Sequence, residues 1–366
     1  MKKAVIGTTL ALVGGIAAQP VLAQGQVSIY GIVDSGVVHT NHADAAGESV
    51  TKVPGLTGSV PSRIGFRGAE DLGGGLQALF TLEGGINVDT GTMGQGNRLF
   101  GRQAWVGLKN RYGTLMVGRL PNMTFYSMLK SDVLGPNLFS ISSIDLYIPN
   151  ARSDNAVGYM GTFANITAGA TYSVGRDIST AGGPAGTACA GEVPGNSKAC
   201  RQVTALLGYD NQAFGVTAAY DKMQGNTGAA MGLATPDSYD RRVTVSGYAM
   251  LGKTRIGAGV MSRKKLAATR AADLESDLYF VGAKFQLAPA MELDAQVARH
   301  AVEDSPNDST LAVMRLTYLL SKRTAVYGSL GHMKNRGAAA IALDAGGTVG
   351  IGMNQSGVNV GVRHSF

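Results

Sequence analysis

Apolar and polar side chains alternate with a period of two along most of this chain. In one segment the apolar side chains belong to every second residue, namely Phe214, Val216, Ala218 and Tyr220. The same alternation returns in residues 166–172, 291–298 and 312–318. Because successive side chains of a β-strand point to opposite faces, each segment is predicted to be a strand with one apolar face and one polar or small face.

The length of these segments and the position of their aromatic residues favour a barrel in lipid over a soluble sandwich. The segments run to about 9–12 residues, whereas strands in globular proteins are usually about 5–6 residues long. Aromatic side chains stand mainly near the segment ends, at Tyr172, Tyr220, Tyr279, Tyr318 and Phe366. Barrels in outer membranes have an apolar outer band flanked by aromatic residues, and lipid excludes open sheet edges.

The connections between the segments alternate in length. Short turns are predicted near residues 71–75, 110–113, 209–212, 251–253, 287–290 and 321–323. Longer, Gly-rich connections are predicted at residues 42–60, 84–97, 120–150, 177–198, 222–240, 262–275 and 333–354. This alternation predicts an all-β, antiparallel transmembrane barrel of about 16 strands, a size at which the lumen is a water-filled channel.

Composition agrees with a folded chain that is exported. With 45% hydrophobic and 16% charged residues, the chain is too apolar to be disordered. Residues 1–23 have a basic start, an apolar stretch and a small-residue cleavage site, so they are predicted to be a signal peptide, and residues 24–366 are predicted to form the barrel. No long apolar run follows, which excludes a bundle of membrane helices. The net charge of +7 is scattered, so no nucleic-acid partner is predicted.

Cys189 and Cys200 are the two cysteines, and they lie between two strand segments. Export places them in an oxidising compartment, which favours a disulfide that closes this loop. A metal site is a poorer interpretation because no His or second Cys pair is near, and the C-x-x-C spacing of redox sites is absent. The sequence therefore predicts a disulfide and neither a metal nor a cofactor.

Four stretches resemble the general diffusion porins of Gram-negative outer membranes, in the branch common in β-proteobacteria. They are VSIYGIVDSGV at 27–37, SRIGFRGAEDLGGGLQALFTLEGG at 62–85, FGRQAWVGLKNRYGTLMVGR at 100–119 and GVNVGVRHSF at 357–366. The likeness covers nearly the whole chain after the signal peptide. It implies a barrel of 16 strands, a homotrimer, and a third long loop that folds inward and narrows the pore.

Three arginines fall where the resemblance implies a constriction cluster: Arg63, Arg102 and Arg152. Alternation supports this for Arg63, because Ile64 and Phe66 would face lipid and Arg63 would then face the lumen. The alternative is that all three are ordinary solvated arginines of a barrel wall. A charge on the lipid face costs about 2–4 kcal/mol at mid-membrane, so the lumen is favoured under either interpretation.

For the two other arginines, the alternation predicts the orientation of one and leaves that of the other open. Val157 and Tyr159 would face lipid, so Arg152, on the opposite parity, is predicted to face the lumen. For Arg102 the alternation is ambiguous, and the resemblance predicts that Trp105 points outward and Arg102 inward.

The stretch 120–150 is rich in apolar and aromatic residues, as expected for a loop packed inside a barrel. Its acids, Asp132 and Asp145, and the inward-facing Glu83 complete the candidate constriction residues. Residues 135–138 read Gly-Pro-Asn-Leu where the family usually has a Pro-Glu-Phe-Gly-like turn, so the glutamate that would balance the arginines is missing. Arginines with few carboxylates predict a channel with weak to moderate anion preference.

The predicted function is passive diffusion of small hydrophilic solutes and inorganic ions across the outer membrane, without catalysis. The alternative is a non-conducting barrel that serves as an adhesin or surface receptor. Expected partners are two further copies of the chain, outer-membrane lipid, lipopolysaccharide and the barrel-assembly machinery. In relatives a final aromatic residue such as Phe366 is a recognition mark for that machinery, although Phe366 also fits a simple aromatic girdle.

Overall fold

A single antiparallel sheet of seventeen strands makes up the body of the molecule. The structure is a computed structural model that describes residues 26–176 and 188–366, so the predicted signal peptide lies outside the described residues. The first strand pairs with the last strand and also with the third. The sheet therefore closes on itself, and the predicted barrel is confirmed. Helices of sufficient length and apolarity to cross a membrane are absent from the described residues.

Sixteen long strands form the wall, and the three-residue β2 extends it beside the end of β1. The strands are β1 (Gln26–Thr40), β2 (Val50–Lys52), β3 (Arg63–Gly73), β4 (Leu76–Gly85), β5 (Gln103–Asn110), β6 (Gly113–Pro121), β7 (Arg152–Phe163), β8 (Ile166–Ser173), β9 (Gln202–Asp210), β10 (Phe214–Gln224), β11 (Tyr239–Leu251), β12 (Thr254–Leu266), β13 (Leu274–Ala288), β14 (Met291–Val302), β15 (Ser309–Leu319), β16 (Thr324–Asn335) and β17 (Gln355–Ser365). Short helices lie in the connections: α1 (Gly94–Asn97), α2 (Met123–Met128), α3 (Ile141–Ile144), and single 3₁₀ turns at Ile148–Asn150, Ala230–Gly232 and Arg270–Ala272.

Short and long connections alternate around the barrel, as predicted. At one end each pair of strands is joined by two to four residues, for example residues 252–253 between β11 and β12. Gly252 adopts a φ of 61° there, a left-handed conformation that glycine adopts without strain. One short turn, at residues 164–165, and one longer connection, at residues 303–308, were not recognised from the sequence.

The barrel is apolar outside and polar inside. In β9 the exposed residues include Val203 and Leu207, whereas Gln202 and Thr204, of the opposite parity, are buried. The aromatic residues predicted to face lipid are indeed exposed on the outer wall: Tyr172, Tyr220, Tyr279, Tyr318 and Phe366. This arrangement inverts that of a soluble protein and matches a wall that stands in hydrocarbon.

The connection between β6 and β7, residues 122–151, folds into the barrel; we call it the inner loop. Its apolar side chains, including Leu138, Phe139 and Ile141, are buried in a cluster with inward-facing residues of β12 to β16, such as Phe280 and Leu311. The wall therefore carries an apolar patch on its inner side, and the inner loop covers it. This confirms the predicted inward fold of the third long loop.

The last residue takes part in closing the sheet. The Phe366 amide donates to the carbonyl oxygen of Gly31 at 3.1 Å, and the Gly31 amide donates to the carbonyl oxygen of Phe366 at 3.0 Å. A Cβ on Gly31 would stand 2.3 Å from the ring carbon Cζ of Phe366, so glycine leaves the space that the ring occupies. The ring of Phe366 therefore packs across the closing pair of strands.

The predicted disulfide joins Cys189 to Cys200, with Cα atoms 5.3 Å apart. Both cysteines are buried in the long connection between β8 and β9. The bond therefore closes part of an outer loop, as the sequence indicated.

Substitution of Val245 by arginine tests which face of the wall meets lipid. Val245 is 45% exposed at the centre of β11, and Leu251 is 63% exposed on the same face at the strand end. We expect Val245→Arg to lower the free energy of unfolding by about 2–4 kcal/mol in lipid vesicles, and Leu251→Arg by about 0–1 kcal/mol, because the cost of a charge falls toward the interface. Urea titrations of vesicle-embedded protein measure both values, and equal costs at the two depths would contradict the assignment.

Candidate pore constriction

Glu83 lies at the centre of the arginine cluster. Its carboxylate accepts a hydrogen bond from Nε of Arg102 at 2.7 Å, and Nε of Arg63 stands 3.5 Å from its second oxygen. The hydroxyl of Tyr30 donates to the same carboxylate at 3.0 Å. Four inward-facing groups from β1, β3, β4 and the start of β5 therefore form one polar cluster on the inner wall.

Arg152 belongs to the same wall but contacts no carboxylate. Its Nε donates to the carbonyl oxygen of Arg102 at 2.8 Å, and its Nη1 donates to the carbonyl oxygen of Pro149 at 3.0 Å. Within the described ranges, no acidic oxygen lies within 4 Å of this guanidinium. Its charge is held by neutral acceptors, so the three arginines and Glu83 carry a net charge of about +2.

The predicted orientation of Trp105 is wrong. Glu83 pairs across the sheet with Gln103, so Gln103 and Trp105 share the inner face, and Trp105 packs against Met116 in a small cluster inside the barrel. Arg102 nevertheless reaches Glu83, because it precedes the first residue of β5 and is not bound by the strand alternation. Arg102 thus contacts Glu83 although the strand parity was predicted wrongly.

Alternation also fails locally beside Arg152. Gly118 pairs with Ala156 and Leu120 with Ser153, so β7 holds one extra residue opposite β6. Asn155 has a φ of 44° at this bulge. Both Arg152 and Ser153 are buried as a result. Arg152 faces inward as predicted, although the alternation that suggested this does not continue through the bulge.

Asp132 and Asp145 have partners elsewhere on the wall. Asp132 accepts a hydrogen bond from Nε2 of Gln296 in β14 at 2.9 Å, and burial raises the pKa of its carboxyl group. Asp145 pairs with Arg242 of β11 through Nε at 3.0 Å. Although burial opposes ionisation, Arg242 and the more distant Arg263 lower the pKa of Asp145 to about 2. The structure therefore does not bring these two carboxylates to the arginine cluster.

A buried polar network that sequence reasoning missed ties both ends of the inner loop to the wall. Asp221 of β10 accepts hydrogen bonds from the hydroxyl of Tyr147 and, at 3.0 Å, from the hydroxyl of Thr124. Nε2 of Gln202 donates to the Tyr147 hydroxyl and to Asp221, both at 2.8 Å. Asn122 accepts from the amide of Thr124 at 3.1 Å and caps α2. The sequence signal for this network was the position of Asp221 in β10, where the alternation places its side chain on the inner face.

Further ion pairs line the inner wall away from Glu83. Asp294 is buried and pairs with Arg315 at 2.8 Å and with Lys284 at 3.2 Å. Asp154 pairs with Arg119 and, at 3.2 Å, with Arg98. The lumen is therefore lined by charged side chains of both signs, as expected of a wet interior.

A cavity of about 370 Å³ lies between Arg102 and the inner loop. Arg102 lines it on one side, and Leu138, Ser142 and Pro149 of the inner loop line it on the other. The loop thus narrows the lumen next to the cluster. A closed barrel with an apolar outer face, a polar lumen and an inner loop of this kind is a membrane channel protein.

Comparison with known proteins agrees with this class. The sequence profile described as Gram-negative porin matches residues 8–338. The outer membrane porin protein 32 of Delftia acidovorans is 30% identical over 385 aligned positions that cover all of both chains. The solved anion-selective porin from Comamonas acidovorans has a TM-score of 0.78 and 26% identity, and it covers 94% of this chain and 100% of its own. OmpT of Vibrio cholerae in its trimer form shares the fold, with a TM-score of 0.64 and 14% identity over 93% of this chain and 99% of its own.

The chain belongs to the Gram-negative porin family. It is accordingly an outer-membrane β-barrel that forms a channel for passive diffusion of small hydrophilic solutes. The predicted family, fold and location are confirmed.

Neutralising Asp145 tests the anchoring of the inner loop. Asp145→Asn leaves the buried Arg242 with only Asp240, 3.1 Å away, as a carboxylate partner, so we expect the variant to close at a lower membrane voltage than the wild type. Because the pKa of Asp145 falls to about 2 on folding, the ion pair stabilises the loop above about pH 4. This stabilisation is lost as the pH falls through about 2.

Single-channel recordings from pH 7 to pH 2.5 measure the closing voltage. The wild-type threshold should stay constant down to about pH 4 and then decline progressively toward that of Asp145→Asn as the pH approaches about 2, whereas Asp145→Asn should start from the lower value. Asp237→Asn, which removes an exposed carboxylate paired with Lys198, is the control and should behave like the wild type. An unchanged threshold in Asp145→Asn would show that the pair does not hold the loop.

Proposed function

We propose that this porin prefers anions, and that Arg63, Arg102 and Arg152 line the constriction and set the preference. The observation that carries the proposal is the charge balance of the arginine cluster, in which three arginines meet one glutamate and from which Arg102 lines the 370 Å³ cavity. A field of one sign is strongest in a narrow section with low-dielectric walls. Anions are therefore concentrated there and cations are repelled.

The carboxylates of the inner loop do not offset this field. Arg242 neutralises Asp145, and the raised pKa of Asp132 makes that group lose its charge at a higher pH than an exposed aspartate does. Glu83 is the acidic group that contacts the arginine cluster, and it holds Arg63 and Arg102 in place. The similarity to a solved porin that is described as anion-selective supports the same conclusion.

The non-conducting alternative, an adhesin or receptor scaffold, would require a plugged lumen. The inner loop packs over β12 to β16 and is also tied to β9, β10 and β11, and a cavity remains beside Arg102. We therefore favour conduction, and ohmic single-channel steps distinguish the two functions.

The active form is proposed to be a homotrimer exported through cleavage of residues 1–23. Small residues on the outer strand faces would allow close contact of subunits, and a related fold is known in trimer form. Phe366 is proposed as the mark for the barrel-assembly machinery.

Lipopolysaccharide is the proposed lipid partner at the loop end of the wall. Lys222, Arg241 and Lys264 stand directly opposite one another on adjacent strands, on the face that carries the exposed Tyr220. Neighbouring like charges destabilise a sheet by themselves, and phosphate groups of the lipid would compensate them.

Charge-neutralising variants test the selectivity. We expect the zero-current potential in a salt gradient to show anion preference in the wild type and to move toward zero in Arg63→Gln, Arg102→Gln and Arg152→Gln. The largest change should follow Arg152→Gln, because no carboxylate balances Arg152. Glu83→Gln should move the potential in the opposite direction, and Arg323→Gln, in a short turn, should leave it unchanged. Cation preference of the wild type would overturn the proposal.

Migration in detergent gels tests the assembly. Unheated protein should run as a band of about three chains and convert on heating to a single band of one unfolded chain.

Deletion of Phe366 should reduce the amount of the unheated trimer band in outer membranes, since the closing hydrogen bonds with Gly31 and the proposed assembly mark are lost together. A wild-type band of one folded chain would contradict the trimer, and an unchanged yield without Phe366 would contradict its role.

A further inference from the structure

A second cavity, of about 300 Å³, lies at the other end of the inner loop; we call it the turn-side cavity. Its walls are Tyr126 and the residues that follow α2, together with inward-facing positions of β7 to β11 near the short turns. Gly208 and Gly215 form part of its wall, and a Cβ on Gly215 would stand 2.7 Å from the ring of Tyr248. Glycine at this position leaves the space that the Tyr248 ring occupies. Because short turns lie on the periplasmic side of such barrels, this cavity faces the periplasm.

One side of the turn-side cavity is apolar, which is unusual in a water-filled lumen. Leu129 is 52% exposed although it lies inside the barrel. Met160 and Leu206 line the same cavity. An exposed apolar surface that is bordered by polar groups is typical of a binding site, and small-molecule sites combine an apolar wall with a few polar groups.

The polar side of the cavity holds one cation and one anion. Nζ of Lys130 lies 2.6 Å from Oδ2 of Asp210, and the hydroxyl of Tyr248 donates to both oxygens of Asp210 at 3.0 Å. The side chains of Lys130 and Asp210 are 57% and 28% exposed. A pair this open to water contributes at most about 1 kcal/mol, so a solute with matching charges can separate the two partners at little cost.

We propose that the turn-side cavity binds small zwitterionic solutes with an apolar body, such as free amino acids with aliphatic side chains. The solute carboxylate contacts Lys130, its ammonium group contacts Asp210, and its side chain packs against Leu129, Met160 and Leu206. A simple carboxylate would leave Asp210 without a cation, and a simple amine would leave Lys130 without an anion. A zwitterion replaces both halves of the existing pair, and an aliphatic side chain covers the exposed leucine.

Saturation-transfer NMR on the purified wild-type porin tests this site with three probes of equal shape. They are L-leucine, leucine amide as the cation and 4-methylvalerate as the anion. We expect transfer to the methyl groups of L-leucine with a millimolar dissociation constant, and at least about five-fold weaker binding of the other two probes, the factor that corresponds to about 1 kcal/mol. Equal binding of all three probes would show that the charges do not recognise the solute.

Three variants assign the binding to the cavity. Lys130→Gln and Asp210→Asn should each weaken leucine binding about five-fold, and Leu129→Ser should weaken it by a similar factor. Lys109→Gln, at the exposed periplasmic end of β5, is the control and should bind as the wild type does. Every variant is first shown to give heat-modifiable, conducting channels, so that loss of the channel is distinguished from loss of the site. Wild-type affinity in all three cavity variants would overturn the proposal.

Discussion

The structure depends on one constraint, that a peptide group in hydrocarbon must find its hydrogen-bond partner within the protein. An open sheet leaves the peptide groups along its two edge strands unpaired. Here β1 pairs with β17 along one edge and with β3 along the other, and these pairings close the sheet. Once the sheet closes, every strand has one face in lipid and one in the lumen. The apolar exterior and the polar interior follow from that closure.

The inner loop is a consequence of the same geometry. A barrel of sixteen long strands encloses more space than its own side chains fill. The chain therefore places an apolar patch on the inside of β12 to β16 and covers it with the inner loop, while buried polar contacts at Asp221 and Arg242 hold the loop on the adjacent strands β10 and β11. The loop is positioned by apolar packing on β12 to β16 and by polar contacts with β10 and β11. A cavity remains between the inner loop and Arg102 of the arginine cluster.

Charge compensation differs between the inner loop and the arginine cluster, and the proposed anion preference rests on this difference. The loop carboxylates are each used in an anchoring contact with the wall, whereas Arg63 and Arg102 share Glu83 and Arg152 contacts only neutral acceptors. In the proposed function, the side chains that hold the structure together also set the field in the pore. Lys130, by contrast, remains open to water beside Asp210, where its pairing is easily exchanged.

Strand alternation, turn spacing and aromatic positions were sufficient to predict the barrel, its approximate strand number and the inward direction of Arg63. These properties are local, because a period of two along one strand decides which side chain faces lipid. Cys189 and Cys200 could likewise be paired from the compartment and their position in one loop. The resemblance of a few stretches added the inner loop and the remaining arginines.

Contacts between distant segments could not be read from local patterns. Trp105 was assigned to the wrong face because both parities of β5 are apolar, and only the pairing of Gln103 with Glu83 decides between them. The bulge at Asn155 shifts the alternation by one residue, and the residue types around it do not indicate a bulge. The sequence by itself determined that this chain closes into a lipid-facing barrel, since burial in hydrocarbon acts on each strand separately. Which carboxylate meets which arginine was decided by the tertiary structure, since an ion pair forms between side chains that folding brings together from separate strands and loops.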